Sequence, residues 1–367
     1  MKKLYFVGFI VLLCTSCLPV PFDAGVSEAA AAASKMTRDN PALITGGYNG
    51  DGTATGFAFY PQVLSSGGFD YSTGFITSLD NQSVNIQAVA NGSQFSGTNQ
   101  FISNPDPYAP AYLGWPVKSG PSFLFGIIFD ALSPASGTGY ALFQATPPST
   151  FTSTGSSLLS LVAPLGTVTS VIGASVSASS SSSYDLLHIL GAGPTTYIEA
   201  IFQVQSSVVG GSSVPRAAVA LPFIPAGTTR VMYFYDDNEA ATDPARTDNR
   251  SFASWYDTSS DSWVSWAWWQ TPTGSGPLSS MRLPISYRLD ALLSTGQLLS
   301  TENGVGRLYD RDGNLIATFP LGNLVYIAEE YVGGVARCYF SQCLVYNNQL
   351  HFNVYWVPTG QLAALAH

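Results

Sequence analysis

Short segments of alternating polar and apolar residues, separated by tight-turn residues, run from about residue 43 to the end of the chain. Residues 83–89 (SVNIQAV) alternate cleanly, and Asn91-Gly92 follows as a strong hairpin signal. Residues 197–205 alternate in the same way. Only residues 289–299 have the spacing of an amphipathic helix. The pattern predicts an all-β fold with many turns.

The composition agrees with this prediction and excludes some functions. Charged residues make up 10% of the chain, against about 25% in typical proteins. Aromatic residues reach 13%, with 35 glycines and 23 prolines, whereas a disordered chain is poor in aromatics. The net charge is −9, and only Lys35 and Lys118 remain beyond Lys2 and Lys3. A nucleic-acid binder needs a basic stripe, so nucleic acid is not expected as a partner.

Two predicted hairpins indicate how the strands are arranged. Residues 307–319 (RLYDRDGNLIATF) and 252–266 (FASWYDTSSDSWVSW) resemble the hairpins of β-propeller blades. A propeller hides its sheet edges, and about 45–50 residues per blade would give six or seven blades. The alternative is two packed β-sandwich domains, divided near the serine-rich residues 175–183.

The N-terminus has the organisation of an export signal. Lys2 and Lys3 precede ten apolar residues, 4–13, which are too few to span a bilayer because a spanning helix needs about 20. The sequence Cys14-Thr15-Ser16-Cys17 resembles the lipobox of bacterial lipoproteins, in the relaxed form found in spirochaetes. This resemblance implies a signal peptide at residues 1–16 and acylation of Cys17. An ordinary signal peptide, cut after Ser16 or later, is the alternative.

The rest of the chain divides into a tether and a body. Residues 17–42 form the predicted lipidated tether, and residues 43–367 form the all-β body. Because the body is acidic, fatty acyl chains such as palmitate would have to hold it on anionic lipid. The expected location is the cell envelope, on the inner or outer membrane, either periplasmic or exposed at the surface.

The cysteine count favours a disulfide if the chain is exported. With Cys14 removed and Cys17 acylated, Cys338 and Cys343 remain in the sequence RCYFSQC. A tight loop would allow them to bridge in an oxidising compartment. Two reduced, buried thiols are the alternative. No cysteine or histidine cluster accompanies them, so we do not predict a metal site.

Five tryptophans are concentrated in one predicted hairpin. On a strand, Trp263 and Trp269 would face one way, and Trp266 and Trp268 the other. One face could then be an exposed platform for a protein or a glycan, because tryptophan suits both interfaces and sugar rings. Packing between sheets is the alternative for all of them. The full set is Trp255, Trp263, Trp266, Trp268 and Trp269.

Other polar groups fit simpler roles. The acidic residues from Asp236 to Asp248 lack the spacing of an EF-hand calcium loop. Asp310 and Asp312 are typical of a turn. His188 lies in an apolar segment, with no nucleophile nearby in sequence. We therefore predict no catalytic residue, no metal and no cofactor.

These observations favour a lipid-anchored envelope protein with a non-catalytic binding or scaffold role. Two alternatives are an envelope hydrolase acting on glycans or peptides, and a structural surface antigen. Two carboxyl groups in a central cleft would favour the hydrolase.

Overall fold

A computed structural model describes part of the chain, and every structural statement below concerns that part. The described residues are 30–40, 45–47, 55–63, 69–79, 83–90, 93–94, 100–103, 113–117, 124–129, 140–146, 150–177, 185–205, 208–215, 220–228, 231–236, 250–269, 278–346 and 349–366. The predicted signal peptide and Cys17 lie outside them.

The described strands form six antiparallel sheets, and most of these sheets are built from strands that follow one another in the chain. Two short strands come first, β1 (Thr37–Asn40) and β2 (Thr45–Gly47). Sheet 1 contains β3 (Thr55–Val63), β4 (Phe69–Leu79), β5 (Ser83–Ala90), β6 (Ser93–Gln94) and β7 (Gln100–Ser103). Sheet 2 contains β8 (Leu113–Val117), β9 (Leu124–Phe129), β10 (Tyr140–Thr146) and β11 (Thr150–Ser157).

The next sheets repeat this plan. Sheet 3 contains β12 (Ser170–Ser177), β13 (Asp185–Ala192), β14 (Tyr197–Gln205) and β15 (Val208–Pro215). Sheet 4 contains β16 (Met232–Asp236), β17 (Arg250–Asp257), β18 (Ser262–Trp269) and β19 (Ser279–Leu283). Sheet 5 contains β20 (Ala291–Leu292), β21 (Leu298–Ser300), β22 (Val305–Tyr309) and β23 (Leu315–Pro320).

Sheet 6 joins the two ends of the described chain. It contains β24 (Leu324–Val332), β25 (Val335–Tyr346) and β26 (Gln349–Pro358), and both β1 and β2 pair with β26. Thr37 lies opposite Trp356. Helical segments are short: residues 30–33, Leu158–Val162, and the 3₁₀ segments Ala163–Leu165, Glu302–Gly304 and Thr359–Ala366.

The sheets follow one another as in a β-propeller. The first strand of each sheet contacts the first strand of the next: β3 with β8, β8 with β12, β12 with β16, and β16 with β20. Sheets 5 and 6 share a core that includes Leu299, Phe319 and Phe340, and β24 contacts β3. The predicted all-β propeller arrangement is therefore confirmed, and the alternative of two sandwich domains is not.

The predicted number of blades needs correction. Within the described residues, sheets 2 to 5 are regular blades of four consecutive strands, whereas sheets 1 and 6 each have five strands. The described residues thus show four such blades, and the predicted six or seven is wrong because the chain was divided by an average blade length. The serine-rich segment joins β12 to β13, which are neighbours in one sheet.

Most strand predictions agree with the structure, but the helix predicted at 289–299 is wrong. These residues form the β20–β21 hairpin, in which Leu293 N donates to Gln297 O at 2.9 Å. Gly296 has φ +76, which ends any helical path and favours a turn. In the described part of the chain, no helix has both the length and the apolar character needed to cross a bilayer.

Contacts between sheets 4, 5 and 6 define two ends of the molecule. Asp236, at the end of β16, contacts Arg311 in the β22–β23 turn. Ser294, in the β20–β21 turn, contacts Glu329 near the end of β24. We call this the lower end, and we call the opposite end, which carries the β17–β18 and β21–β22 turns, the upper end.

Candidate functional site

Glu329 is a half-buried carboxyl group on β24, the first strand of sheet 6. The backbone N–H and hydroxyl of Ser294 each donate to it at 2.7 Å, and the Thr359 hydroxyl donates at 2.6 Å. Burial raises the pKa of Glu329, although these hydrogen bonds act to lower it. Glu329 is thus a carboxyl group that favours its protonated form more than a free glutamate does.

Asp290 has a different environment, just before β20 in sheet 5. Arg288 Nε lies 2.7 Å from its Oδ1. The Thr301 backbone N–H and hydroxyl donate to Oδ2 at 2.6 and 2.8 Å. A guanidinium and two further donors stabilise a negative charge, although the Asp290 side chain is only 5% exposed.

The hydroxyl group of Tyr326 is affected by the charges of both Glu329 and Asp290. Burial raises the pKa of Tyr326 well above its ordinary value, and the neighbouring Cys338, Glu329, Asp290 and Glu330 raise it further. We therefore describe Asp290, Glu329 and Glu330 as the acidic cluster, which lies at the boundary between sheets 5 and 6.

The chemical capacity of the acidic cluster comes from the contrast between its members. One carboxyl group favours its protonated form because it is desolvated, and another is held beside a guanidinium. Such pairs can supply a proton donor and a negative charge in one site. Among the described residues, no group of three or more histidine, cysteine or acidic side chains could hold a metal ion.

The acidic cluster was missed by sequence analysis. Asp290 stands between predicted helix residues, and Glu329 and Glu330 lie in an apolar strand. They are separated by nearly forty residues, and no local spacing brings them together. The available signal was the placement of consecutive acids in a strand that was otherwise apolar, which indicates a buried charge with a partner.

The predicted tryptophan platform is largely incorrect. Trp255, Trp263 and Trp268 are 4%, 8% and 1% exposed. The predicted alternation along β18 is present: Trp268 faces sheet 3, and Trp263 faces sheet 5. Because sheet 4 has a neighbour on each side, both faces are covered, as the packing alternative states.

The remaining two tryptophans are partly buried. Trp266 stacks on Phe223, with ring centroids 4.6 Å apart. The Arg250 guanidinium lies 4.6 Å from the centre of the Trp269 ring, a cation–π contact. Both rings are thus engaged within the protein, and they do not form an open platform with the other three.

Ion pairs at the lower end explain the acidic residues near Asp236. Asp236 lies 2.5 Å from Arg311, and Arg250 lies 2.7 Å from Asp312. Both pairs join sheet 4 to the β22–β23 turn of sheet 5. That turn forms as predicted, because Asp310 accepts the backbone N–H groups of Asp312 and Asn314. Of the predicted acidic loop, residues 237–249 lie outside the described part.

The predicted disulfide between Cys338 and Cys343 is wrong. Both residues lie on β25, opposite Val357 and Phe352 respectively. Five residues of strand separate their Cα atoms by about 16 Å, whereas a disulfide needs less than about 7 Å. Cys338 is a free, buried thiol 3.4 Å from the Thr359 hydroxyl, and burial raises its pKa well above the ordinary value.

His188 occupies the core, as expected for a histidine in an apolar segment. Its side chain is 1% exposed, and its ring lies 5.5 Å from that of Tyr235. It is placed for packing between sheets 3 and 4.

Comparisons with known proteins find similarity in structure alone. No family model matches the sequence, and a search of curated proteins gives no match. Among solved structures, an α-L-arabinofuranosidase from Fusarium graminearum aligns with 89% of this chain and 99% of its own, at 9% identity and a TM-score of 0.40. An α-L-arabinanase from Penicillium chrysogenum aligns with 83% and 98%, at 10% identity and a TM-score of 0.38.

A third solved structure also aligns over most of its length at low sequence identity. An endo-arabinase from Bacteroides thetaiotaomicron aligns with 82% of this chain and 97% of its own, at 10% identity and a TM-score of 0.35. The sequence-based prediction of a non-catalytic binding or scaffold role finds no support in these matches, which are structures of glycan-cleaving enzymes. At this distance the likeness concerns the strand arrangement, and no activity is transferred from it.

Proposed function

We propose that this chain is a glycoside hydrolase in which Glu329 is the general acid and Asp290 is its ionised partner. The observation that carries the proposal is the contrast between these two carboxyl groups. Burial raises the pKa of Glu329, whereas Asp290 has the Arg288 guanidinium 2.7 Å away. Glycoside hydrolysis requires one carboxyl group as a proton donor and a second as a carboxylate.

The location of the pair supports the proposal. β20 and β24 are the first strands of neighbouring sheets, and first strands line the central axis of a propeller. Asp290 precedes β20, and Glu329 lies on β24. Both carboxyl groups therefore come from the inner strands of neighbouring sheets, as the proposal requires.

The reaction follows from these roles. Glu329 gives its proton to the glycosidic oxygen as the bond to the leaving sugar breaks. The Asp290 carboxylate stabilises the positive charge that develops at the anomeric carbon, and a water molecule then adds to that carbon and returns a proton to Glu329. Ser294 and Thr359 hold the Glu329 carboxyl group in one orientation, and Arg288 and Thr301 hold that of Asp290.

A substrate panel tests the activity. Nitrophenyl glycosides of common pyranoses and furanoses are assayed with linear polysaccharides, including arabinan. We expect hydrolysis of at least one, and a loss of about 10²–10⁴-fold in kcat/KM for Glu329→Gln and for Asp290→Asn. The control is Asp261→Asn, an exposed carboxylate on the β17–β18 turn, which should retain activity.

The leaving group separates the two roles. A dinitrophenolate needs no proton to depart, so Glu329→Gln should keep far more activity on dinitrophenyl glycosides than on unactivated ones. Asp290→Asn should lose activity on both. Absence of hydrolysis from the whole panel would contradict the proposal. The proposal would also be contradicted if a dinitrophenolate leaving group restored activity to Glu329→Gln and Asp290→Asn to the same extent.

We propose further that the propeller ring is closed where β1 completes sheet 6. The contact of β24 with β3 and the pairing of β1 with β26 support this. Replacing Arg38 in β1 with proline removes a backbone donor from the closing strand. We expect a lower midpoint of thermal unfolding, and an unchanged midpoint would contradict closure by β1.

We also propose that Cys17 is acylated and holds the protein on a membrane of the cell envelope. The lipobox resemblance and the apolar residues 4–13 support this. Mass spectrometry should find acyl chains on Cys17, and Cys17→Ala should move the protein from the detergent phase to the aqueous phase. A wild-type protein that is aqueous and unacylated would contradict the anchor.

A further inference from the structure

Three large hydrophobic side chains are exposed among the residues whose side chains the structure describes, which lie mainly in sheets 3 to 6. They are Leu315 at 57%, Ile316 at 45% and Val335 at 45% exposed. Leu315 and Ile316 begin β23, directly after the β22–β23 turn. Val335 begins β25, directly after the turn at Gly333 and Gly334. We call these three residues the lower apolar patch.

Both turns belong to the lower end of neighbouring sheets. The β22–β23 turn is placed there by the contact of Arg311 with Asp236. The β24–β25 turn follows Glu329, which contacts the β20–β21 turn at Ser294. The lower apolar patch thus comprises side chains from sheets 5 and 6 at one end of the molecule.

The described chain also begins at the lower end. Lys35 donates to the Leu365 carbonyl at 3.1 Å, and Ala32 and Met36 pack in the same core as Leu362 and Leu365. β1 then starts opposite Trp356, near the end of β26. The segment that leads back towards Cys17 therefore leaves the body beside the lower apolar patch.

The length of that segment limits the orientation of an anchored body. Twelve residues lie between Cys17 and Ala30, and the thirteen steps from one Cα to the next can span at most about 45 Å when fully extended. Turning the upper end towards the membrane would require the segment to cross a strand length of about 30 Å first. The upper orientation would use about two thirds of the fully extended tether, whereas the lower orientation needs none of that distance, so the lower end is favoured.

We infer that the lower apolar patch rests in the membrane surface, with Leu315, Ile316 and Val335 entering the headgroup region. This inference rests on the anchor proposed at Cys17. Exposed apolar side chains gain from that environment without any basic surface, which suits an acidic body. The upper end then faces away from the membrane.

Hydrogen exchange on the acylated protein in phosphatidylethanolamine–phosphatidylglycerol vesicles tests the orientation. Relative to detergent micelles, we expect exchange to slow several-fold in the turns at residues 310–316 and 333–335. The upper turn at residues 258–261 should be unchanged. Equal slowing at both ends, or none at the lower end, would overturn the inference.

Two further measurements complete the test. The variant Leu315→Ser/Ile316→Ser/Val335→Ser should stay bound through its acyl chains but lose the slowing, whereas Thr258→Ser at the upper end should keep it. Slowing that depends on the surface density of the protein would show that a second copy covers the patch, and would overturn the inference.

Failure of the anchor is distinguishable from failure of the orientation. If the natural protein carries no acyl chain and does not float with vesicles, the anchor proposal fails by itself. The chain beginning at Cys17, with Cys343→Ser, is then coupled through the Cys17 thiol to a maleimide lipid, which supplies the tether. The same exchange pattern is expected, and its absence would overturn the orientation.

Discussion

The indole N–H of Trp268 donates to the Glu199 carboxylate at 2.8 Å, across the boundary between sheets 4 and 3. The Tyr233 hydroxyl donates to the same oxygen at 3.3 Å. Glu199 is 3% exposed and Trp268 is 1% exposed. A buried carboxylate thus satisfies two aromatic donors that would otherwise lie in an apolar core.

Glu199→Leu should lower the free energy of unfolding by about 3 kcal/mol, because each buried donor left without an acceptor costs about 1–3 kcal/mol. Glu199→Gln keeps an acceptor oxygen and should cost less. Urea unfolding of both variants checks this. Equal losses would show that the negative charge, and not the acceptor, is what the site requires.

The two ion pairs at the lower end should differ in importance. Asp236 is buried, whereas the Asp312 side chain is 41% exposed. Asp236→Ala leaves the Arg311 guanidinium buried without its carboxylate and should cost about 3–5 kcal/mol. Asp312→Ala should cost less, because solvent screens the exposed Asp312 and Arg250 keeps the Arg311 carbonyl and the Trp269 ring. Denaturant unfolding measures both, and the reverse order would contradict the burial argument.

Gly306 should not tolerate a side chain. A Cβ there would lie 2.0 Å from Cε2 of the fully buried Phe319, so Gly306→Ala must displace that ring. We expect a loss of about 1–3 kcal/mol from overpacking. Gly360→Ala is the matched control, since a Cβ at that position meets nothing within 4 Å. Thermal unfolding of the two variants should separate them clearly.

The raised pKa of Glu329 predicts a pH-dependent stability. Because burial raises this pKa above the ordinary 4.5, the folded protein keeps the proton to higher pH than the unfolded chain does. The stabilising contribution is complete below pH 4.5 and is lost as the pH rises through the folded-state pKa. Glu329→Gln should therefore gain stability relative to wild type across that window. A difference that is constant with pH would contradict the prediction.

Cys338 should be unreactive in the folded protein. It is fully buried, and burial raises its pKa well above the ordinary value, which reduces the reactive thiolate. Alkylation with iodoacetamide, followed by peptide mapping, should label Cys338 only after unfolding in urea. The mass of the protein should not change on reduction, since Cys338 and Cys343 are too far apart on one strand to bridge. Rapid labelling of the native protein would contradict this.

Local patterns were sufficient to place many strands. The alternation in residues 83–89 and 197–205 corresponds to β5 and β14, and the hairpins at residues 252–270 and 307–319 correspond to β17–β18 and β22–β23. Turn residues with fixed backbone preferences marked their boundaries, as Gly313 does with φ +83.

Relations between sheets could not be predicted in the same way. Alternation gives the two faces of a strand, but it does not show that a neighbour covers each face. For this reason the alternation along β14 gave no sign that Glu199 is buried, and an open face of tryptophans on β18 remained possible. In both strands the two faces are buried.

The hairpin at residues 289–299 shows a second limit. Its leucines have helical spacing, but Gly296 and the hydrogen bond from Leu293 N to Gln297 O form a turn. The acidic cluster is a third case, because its members meet only when sheets 5 and 6 pack together.

The pairing of β1 with β26 has a consequence for the order of folding. The residues of the strand Thr37–Asn40 are synthesised early, whereas those of its partner strand Gln349–Pro358 are synthesised more than 300 residues later. Closing so long a loop is slow, because its entropy must be lost before the contact forms. If the chain crosses a membrane unfolded, its N-terminal strand must therefore wait for the last segment to emerge, and sheet 6 is the final part of the molecule to become native.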